Sequence, residues 1–168
     1  VESATGPDSV RRDWYYWRDP RPGAVPGTPG AEPSNWESFF GGSAWQLDPS
    51  SGEYYLHLFA SEQPDLNWEN PHVREAIYDM MNWWLERGVD GFRVDAIDVI
   101  SKRAGLPDGG AARAPFGVGH ECYADGPRLH EFLQEMNERT FSRHPGSFTV
   151  GEASNASPES ALLFCDPS

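Results

Sequence analysis

Gly88-Val89-Asp90-Gly91-Phe92-Arg93-Val94-Asp95-Ala96-Ile97, residues 88 to 97, decides how this chain is read. From Val89 to Ile100 the residues are apolar and β-branched enough for a buried strand. Alternate side chains of a strand share a face, so Arg93 and Asp95 point together while Phe92 and Val94 turn toward covering helices. A guanidinium beside a carboxylate favours its ionised form. The pair then has two readings: a structural ion pair in a core, or an ionised carboxylate at a strand end, placed to attack an anomeric carbon. The segment alone does not decide between them. Asp98, three residues on, reads equally as a ligand, a cap or a solvated residue.

Outward from this strand the periodicity is helical on both sides. Asn70-Pro71 offers an N-cap followed by Pro at the first helical position. Val73, Ile77, Met81, Trp84 and Leu85 then recur at helical spacing, and Gly88 stops the run. A second helix begins near Pro127, with Leu129, Phe132, Leu133 and Met136 on one face. Its C-terminal end carries Arg139, Arg143 and His144, where positive charge is favoured. Phe148 to Val150 is a further short buried strand. Helix, strand, long loop, helix, strand is α/β alternation and predicts a parallel sheet. The loop from Ser101 to Gly126 follows a strand and precedes a helix, and loops of that length are usually functional or disordered. In a βα barrel it lies on the face where active sites form.

Residues 1 to about 68 have another texture, rich in Pro, Gly, Ser and aromatics. Pro20 to Pro33 must be loop. Ala44–Leu47 and Glu53–Phe59 read as two short strands joined by the turn Asp48-Pro49-Ser50-Ser51-Gly52. The Trp residues of this half, Trp14, Trp17, Trp36, Trp45 and Trp68, read first as packing, with sugar stacking the rarer use.

A formal net charge of −13, from 26 acidic and 13 basic residues, repels phosphate backbones and anionic lipid heads. Nucleic acid and membrane surfaces are therefore not expected partners, while a neutral sugar is compatible. No run of 18 apolar residues is present to span a membrane. Cys122 and Cys165 are too few for a disulfide scaffold and lack metal-ligand spacing. With no leader pattern at Val1, a cytoplasmic location is the expectation.

A second carboxylate changes the weight of the first. Thr149-Val150-Gly151-Glu152-Ala153 ends an apolar strand in Gly and then Glu. Alone, Glu152 reads as an exposed residue opening a loop. Beside Asp95 it becomes one of two carboxylates at the C-terminal ends of adjacent parallel strands. Glycoside hydrolysis with retention needs such a pair, about 5–5.5 Å apart. One attacks and forms a glycosyl-enzyme; the other protonates the leaving oxygen and later deprotonates water. Asp95, held anionic by Arg93, suits the first role. Glu152, with a pKa raised by burial and by the nearby Asp, suits the second.

These segments resemble family 13 of the glycoside hydrolases, the α-amylase family, and within it the α-glucosidase and oligo-1,6-glucosidase group. Residues 88–97 resemble its nucleophile segment and Val150-Gly151-Glu152 its acid/base segment. Gln63-Pro64-Asp65-Leu66-Asn67 resembles the segment near the end of the group's small inserted domain. Arg12-Asp13-Trp14-Tyr15, Asn35-Trp36 and residues 39–45 fit the same group.

The resemblance implies an α/β fold. Residues 1–67 would be an irregular inserted subdomain of the third barrel loop, with short antiparallel strands. Residues 68–168 would run from the third helix to the fifth strand of a (β/α)8 TIM barrel. It implies a retaining α-glucosidase acting on short α-glucosides, with Asp95 as nucleophile, Glu152 as acid/base and Arg93 beside them. His57 and His120 are further candidates for substrate contact. No cofactor is implied, and no oxygen-rich metal-binding cluster is evident. An Asn-His segment of the family would precede Val1, and an Asp with a neighbouring His would follow Ser168. The chain therefore reads as an internal piece, not expected to be active alone. Ala96, directly after the nucleophile position, leans toward α-1,4 bonds, while Gln63 leans toward the α-1,6 pattern. Sucrose isomerisation or transglucosylation on the same fold is the alternative. A non-catalytic relative is a further one, disfavoured because Asp95, Glu152 and Arg93 are all kept.

Overall fold

The computed structural model describes residue 6, residues 8–112 and residues 117–165. The chain forms two compact units, one of residues 1–70 and 104–122, the other of residues 71–103 and 123–168.

The first unit is built on short antiparallel strands. β1 (Trp17–Arg18), β2 (Trp45–Leu47) and β3 (Tyr54–Leu56) form a sheet in the order β1-β3-β2. Trp45 pairs with Leu56 and Trp17 with Tyr55. The two strands flanking Asp48–Gly52 were expected, though both are shorter than the sequence pattern suggested. β1 was not: two residues carry too little alternation to be read. Trp36, Trp45, Leu56 and Leu58 are buried and make the core, so most of its stabilisation comes from aromatic and aliphatic burial rather than from the sheet.

The middle of the long loop packs into this unit. The indole N–H of Trp36 donates to the Pro107 carbonyl at 2.8 Å, and the Asn35 side-chain amide donates to Gly109 at 3.0 Å. Gly119 has φ +86, and a Cβ there would lie 2.4 Å from the Trp36 ring. Only glycine satisfies both the left-handed backbone and that contact.

The second unit alternates helix and strand: α1 (Pro71–Leu85), β4 (Gly91–Val94), α2 (Leu129–Arg139), β5 (Phe148–Gly151) and α3 (Pro158–Cys165). β4 and β5 are parallel neighbours, with Arg93 opposite Val150 and Val94 opposite Gly151. α1 buries Val73, Tyr78, Met81 and Leu85. Trp84, expected on that face, is 45 % exposed, while Tyr78, outside the expected set, is buried. Arg74 on α1 donates to Glu135 on α2 at 2.6 Å, and the Asn82 amide donates to the Arg139 carbonyl at 3.0 Å. α2 buries Leu129, Phe132 and Met136 on one face, as its spacing predicts.

Two expectations are corrected here. The strand through residue 94 is four residues long and does not continue to Ile100. Ala96 takes a left-handed φ of +45 and turns the chain into a short 3-10 segment, Ile97–Val99. Val150, read as part of a buried strand, is 55 % exposed, because β5 has β4 on one edge and no covering layer over that side chain among the described residues. The apolar run after Pro158 is helix α3, with Leu162 and Leu163 on its exposed surface.

Candidate active site

The site begins with a close backbone approach. A Cβ on Gly91 would stand 1.9 Å from the Phe148 carbonyl oxygen, so glycine is what lets β4 and β5 meet at this register. At the other end of the pair, the Glu152 N–H donates to the Val94 carbonyl at 2.8 Å. The Ile97 N–H returns the bond to the Glu152 carbonyl at 3.0 Å. Asp95 and Glu152 follow directly from the last residues of the two strands, at the C-terminal edge of the sheet.

Arg93 joins them. Its Nη1 donates to Oδ1 of Asp95 at 2.8 Å, and its Nη2 donates to Oε2 of Glu152. The Arg93–Asp95 contact agrees with the shared face expected for alternate strand residues. The structure thus brings three of the expected site residues, Arg93, Asp95 and Glu152, into one cluster, with Ala96 adjoining in the left-handed turn. A hydrogen bond from Glu152, and then the Arg93 guanidinium, hold the Asp95 carboxyl below the usual carboxylate range. The same contacts, Asp95 first and then the charge of Glu152, keep Arg93 more firmly protonated than usual.

One expectation about this cluster is not met. Glu152 was expected to be buried; its side chain is 45 % exposed, and that of Asp95 is 76 % exposed. The strand ends project from a two-stranded sheet, and no described element of this unit closes over them.

The other two candidates lie in the first unit. His57 is buried, and its Nδ1 lies 3.0 Å from the Phe59 carbonyl, a bond that orients the ring. The residue lines a cavity of about 430 Å³ together with Ser38, Phe40, Trp45, Phe59 and Glu62. His120 is half-buried at the start of the 3-10 segment His120–Cys122. No group of three or more His, Cys, Asp and Glu side chains suited to a metal ion occurs among the described residues. No described helix is long and apolar enough to cross a membrane.

Asp98 is the residue whose part the sequence left open. It is 1 % exposed and accepts the Asn155 N–H at 2.7 Å. The readable signal was its setting between Ile97 and Val99, both apolar, which marks a buried turn rather than a solvated one.

Residues 1–168 match the family described as Alpha-amylase, the alpha amylase catalytic domain. An oligo-1,6-glucosidase of Parageobacillus thermoglucosidasius is 50 % identical over 169 residues, which cover 100 % of this chain and 29 % of that protein. The crystal structure of trehalose-6-phosphate hydrolase from Bacillus licheniformis superposes with a TM-score of 0.87 at 48 % identity, covering 99 % of this chain and 28 % of that one. A trehalulose synthase from Pseudomonas mesoacidophila MX-45 superposes at 0.82 with 41 % identity, covering 96 % and 27 %. The chain therefore spans less than a third of the length of these relatives.

Proposed function

We propose, from the premise that this chain belongs to the alpha-amylase family, that it carries the nucleophile and the acid/base of a retaining α-glucosidase. Family membership implies that the α/β unit is part of a (β/α)8 barrel. In the layout proposed, residues 68–168 run from the third helix to the fifth strand, and residues 1–67 are an insert in the third barrel loop.

The observation that carries the reading is the double engagement of Arg93, whose two guanidinium nitrogens reach Asp95 and Glu152 at once. Inverting glycosidases need about 6.5–9.5 Å between carboxyls to admit a water, and retaining ones about 5–5.5 Å. Two carboxyls that share one guanidinium favour the closer class. Asp95, held anionic, attacks the anomeric carbon as the glycosidic C–O bond breaks. Glu152 gives its proton to the departing oxygen, then takes one from the water that releases the sugar. The exposed strand ends would be covered by other parts of the full-length protein.

The substrate class proposed is a short, neutral α-glucoside, with Ala96 favouring α-1,4 over α-1,6 bonds. The chain's net charge of −13 supports an uncharged ligand. Likeness to a trehalulose synthase supports one second reading, sucrose isomerisation. The full-length protein, given maltose, isomaltose and sucrose in turn, separates these. Release of glucose from maltose, and of glucose first appearing as the α-anomer from an aryl α-glucoside, supports the proposal. Isomerised sucrose with little free glucose supports the second reading. Initial release of β-glucose from the aryl α-glucoside contradicts retention.

A further inference from the structure

Asp98 lies where the turn after β4 is fastened to the loop after β5. Its Oδ2 accepts the Asn155 N–H at 2.7 Å, and its main-chain carbonyl accepts the Asp125 N–H at 2.9 Å. The flanking residues Ile97 and Val99 are buried, and Gly151 packs against Ile97 so closely that a Cβ there would sit 3.1 Å from the Ile97 side chain.

Two spans are closed by these bonds. Asp95 and Ala96 lie between Val94, which accepts from Glu152, and Ile97, which donates to Glu152. Ala153 and Ser154 lie between Glu152 and Asn155, and Asn155 donates to Asp98. Without the Asp98 carboxyl the loop after Glu152 has lost its side-chain anchor to the turn that carries Asp95. Ala96 holds a left-handed backbone that a non-glycine residue keeps only when its surroundings impose it. Among the described residues, Oδ1 of Asp98 is buried with no hydrogen-bond partner. A carboxyl is a costly group to keep there for packing alone.

We propose that Asp98 is a positioning residue: it holds the Asp95 turn and the Glu152 loop in reacting register, acting through Asn155 and touching no substrate. The inference rests on the glycosidase reading above. Misplacement by about 1 Å at such a site can cost roughly a hundredfold in rate, without a matching loss of binding.

The test uses the full-length protein with maltose, read as kcat and KM separately, beside thermal unfolding. Asp98→Ala should lower kcat about ten- to a hundredfold with KM within about threefold. Asp98→Asn keeps an oxygen for the Asn155 N–H and should recover most of that loss. Asn155→Pro removes the donor while leaving the carboxyl, so it should reproduce the kcat loss. Asp98→Ala added to Asn155→Pro should then cost little more. If Asp98→Ala does not fold, the Asn155→Pro and Asp98→Asn pair still decides. Wild-type kcat in Asn155→Pro, or a rise in KM alone in either variant, overturns the proposal. Asp95→Asn serves as the control: if it too keeps wild-type turnover, the glycosidase reading itself has failed.

Discussion

The Glu152 N–H donates to the Val94 carbonyl at 2.8 Å, and through this rung the residues that follow the two strands stand side by side. The carboxyl groups of Asp95 and Glu152 are thus placed by main-chain pairing. Their side chains can be altered without removing what aligns them.

Asp95→Asn and Glu152→Gln should each cut turnover of maltose by the full-length protein by at least about a hundredfold, the lower range for losing an acid–base group. Main-chain pairing holds both residues in place and each substitution is isosteric, so thermal unfolding should shift little. The two should differ on an aryl α-glucoside whose leaving group needs no proton. Glu152→Gln should keep far more of its glycosyl-enzyme formation than Asp95→Asn, and pre-steady-state release of the aryl group measures this.

Arg93→Met should move the acid limb of kcat/KM to higher pH. Asp95 is held low first by Glu152 and next by Arg93. A nucleophile of this kind works above its pKa and fails as pH falls through it. Removing the guanidinium raises that pKa, so failure begins at a higher pH. A pH–rate profile of the variant with an unmoved acid limb would count against Arg93 as the partner.

Gly91→Ala should separate β4 from β5, because the new methyl would stand 1.9 Å from the Phe148 carbonyl oxygen. Overpacking of this kind costs about 1–3 kcal/mol, and activity should fall with it. Denaturant unfolding at constant slope measures the cost.

Ala96→Val should raise the ratio of isomaltose to maltose turnover. It should also lower stability, since a β-branched side chain at φ +45 is strained. Steady-state kinetics on the two disaccharides, with a thermal melt, reads both effects. An unchanged ratio would remove Ala96 from the specificity argument.

Much of this was legible in the sequence where pattern and physics coincide. Pro71, the spacing of Val73, Met81 and Leu85, and the Gly88 stop locate α1. Leu129, Phe132 and Met136 locate the buried face of α2. The Arg93–Asp95 contact follows from strand alternation. What escaped reading depends on tertiary contact. β1 is two residues long and exists through its pairing with β3. The end of β4 at Val94 is set by the left-handed turn at Ala96, which no local signal at an alanine announces. The part of Asp98 depends on Asn155, 57 positions away. Glu152 was read as buried because an acid/base role calls for a raised pKa; in this chain the strand ends stand open.

The most direct measurement traps the covalent intermediate. The full-length protein is treated with a 5-fluoro-α-glucosyl fluoride, digested, and the labelled peptide sequenced by mass spectrometry. The sugar should be found on Asp95. A label on Glu152 or on any other residue, or turnover of the reagent with the covalent adduct absent under rapid quench, would contradict the account.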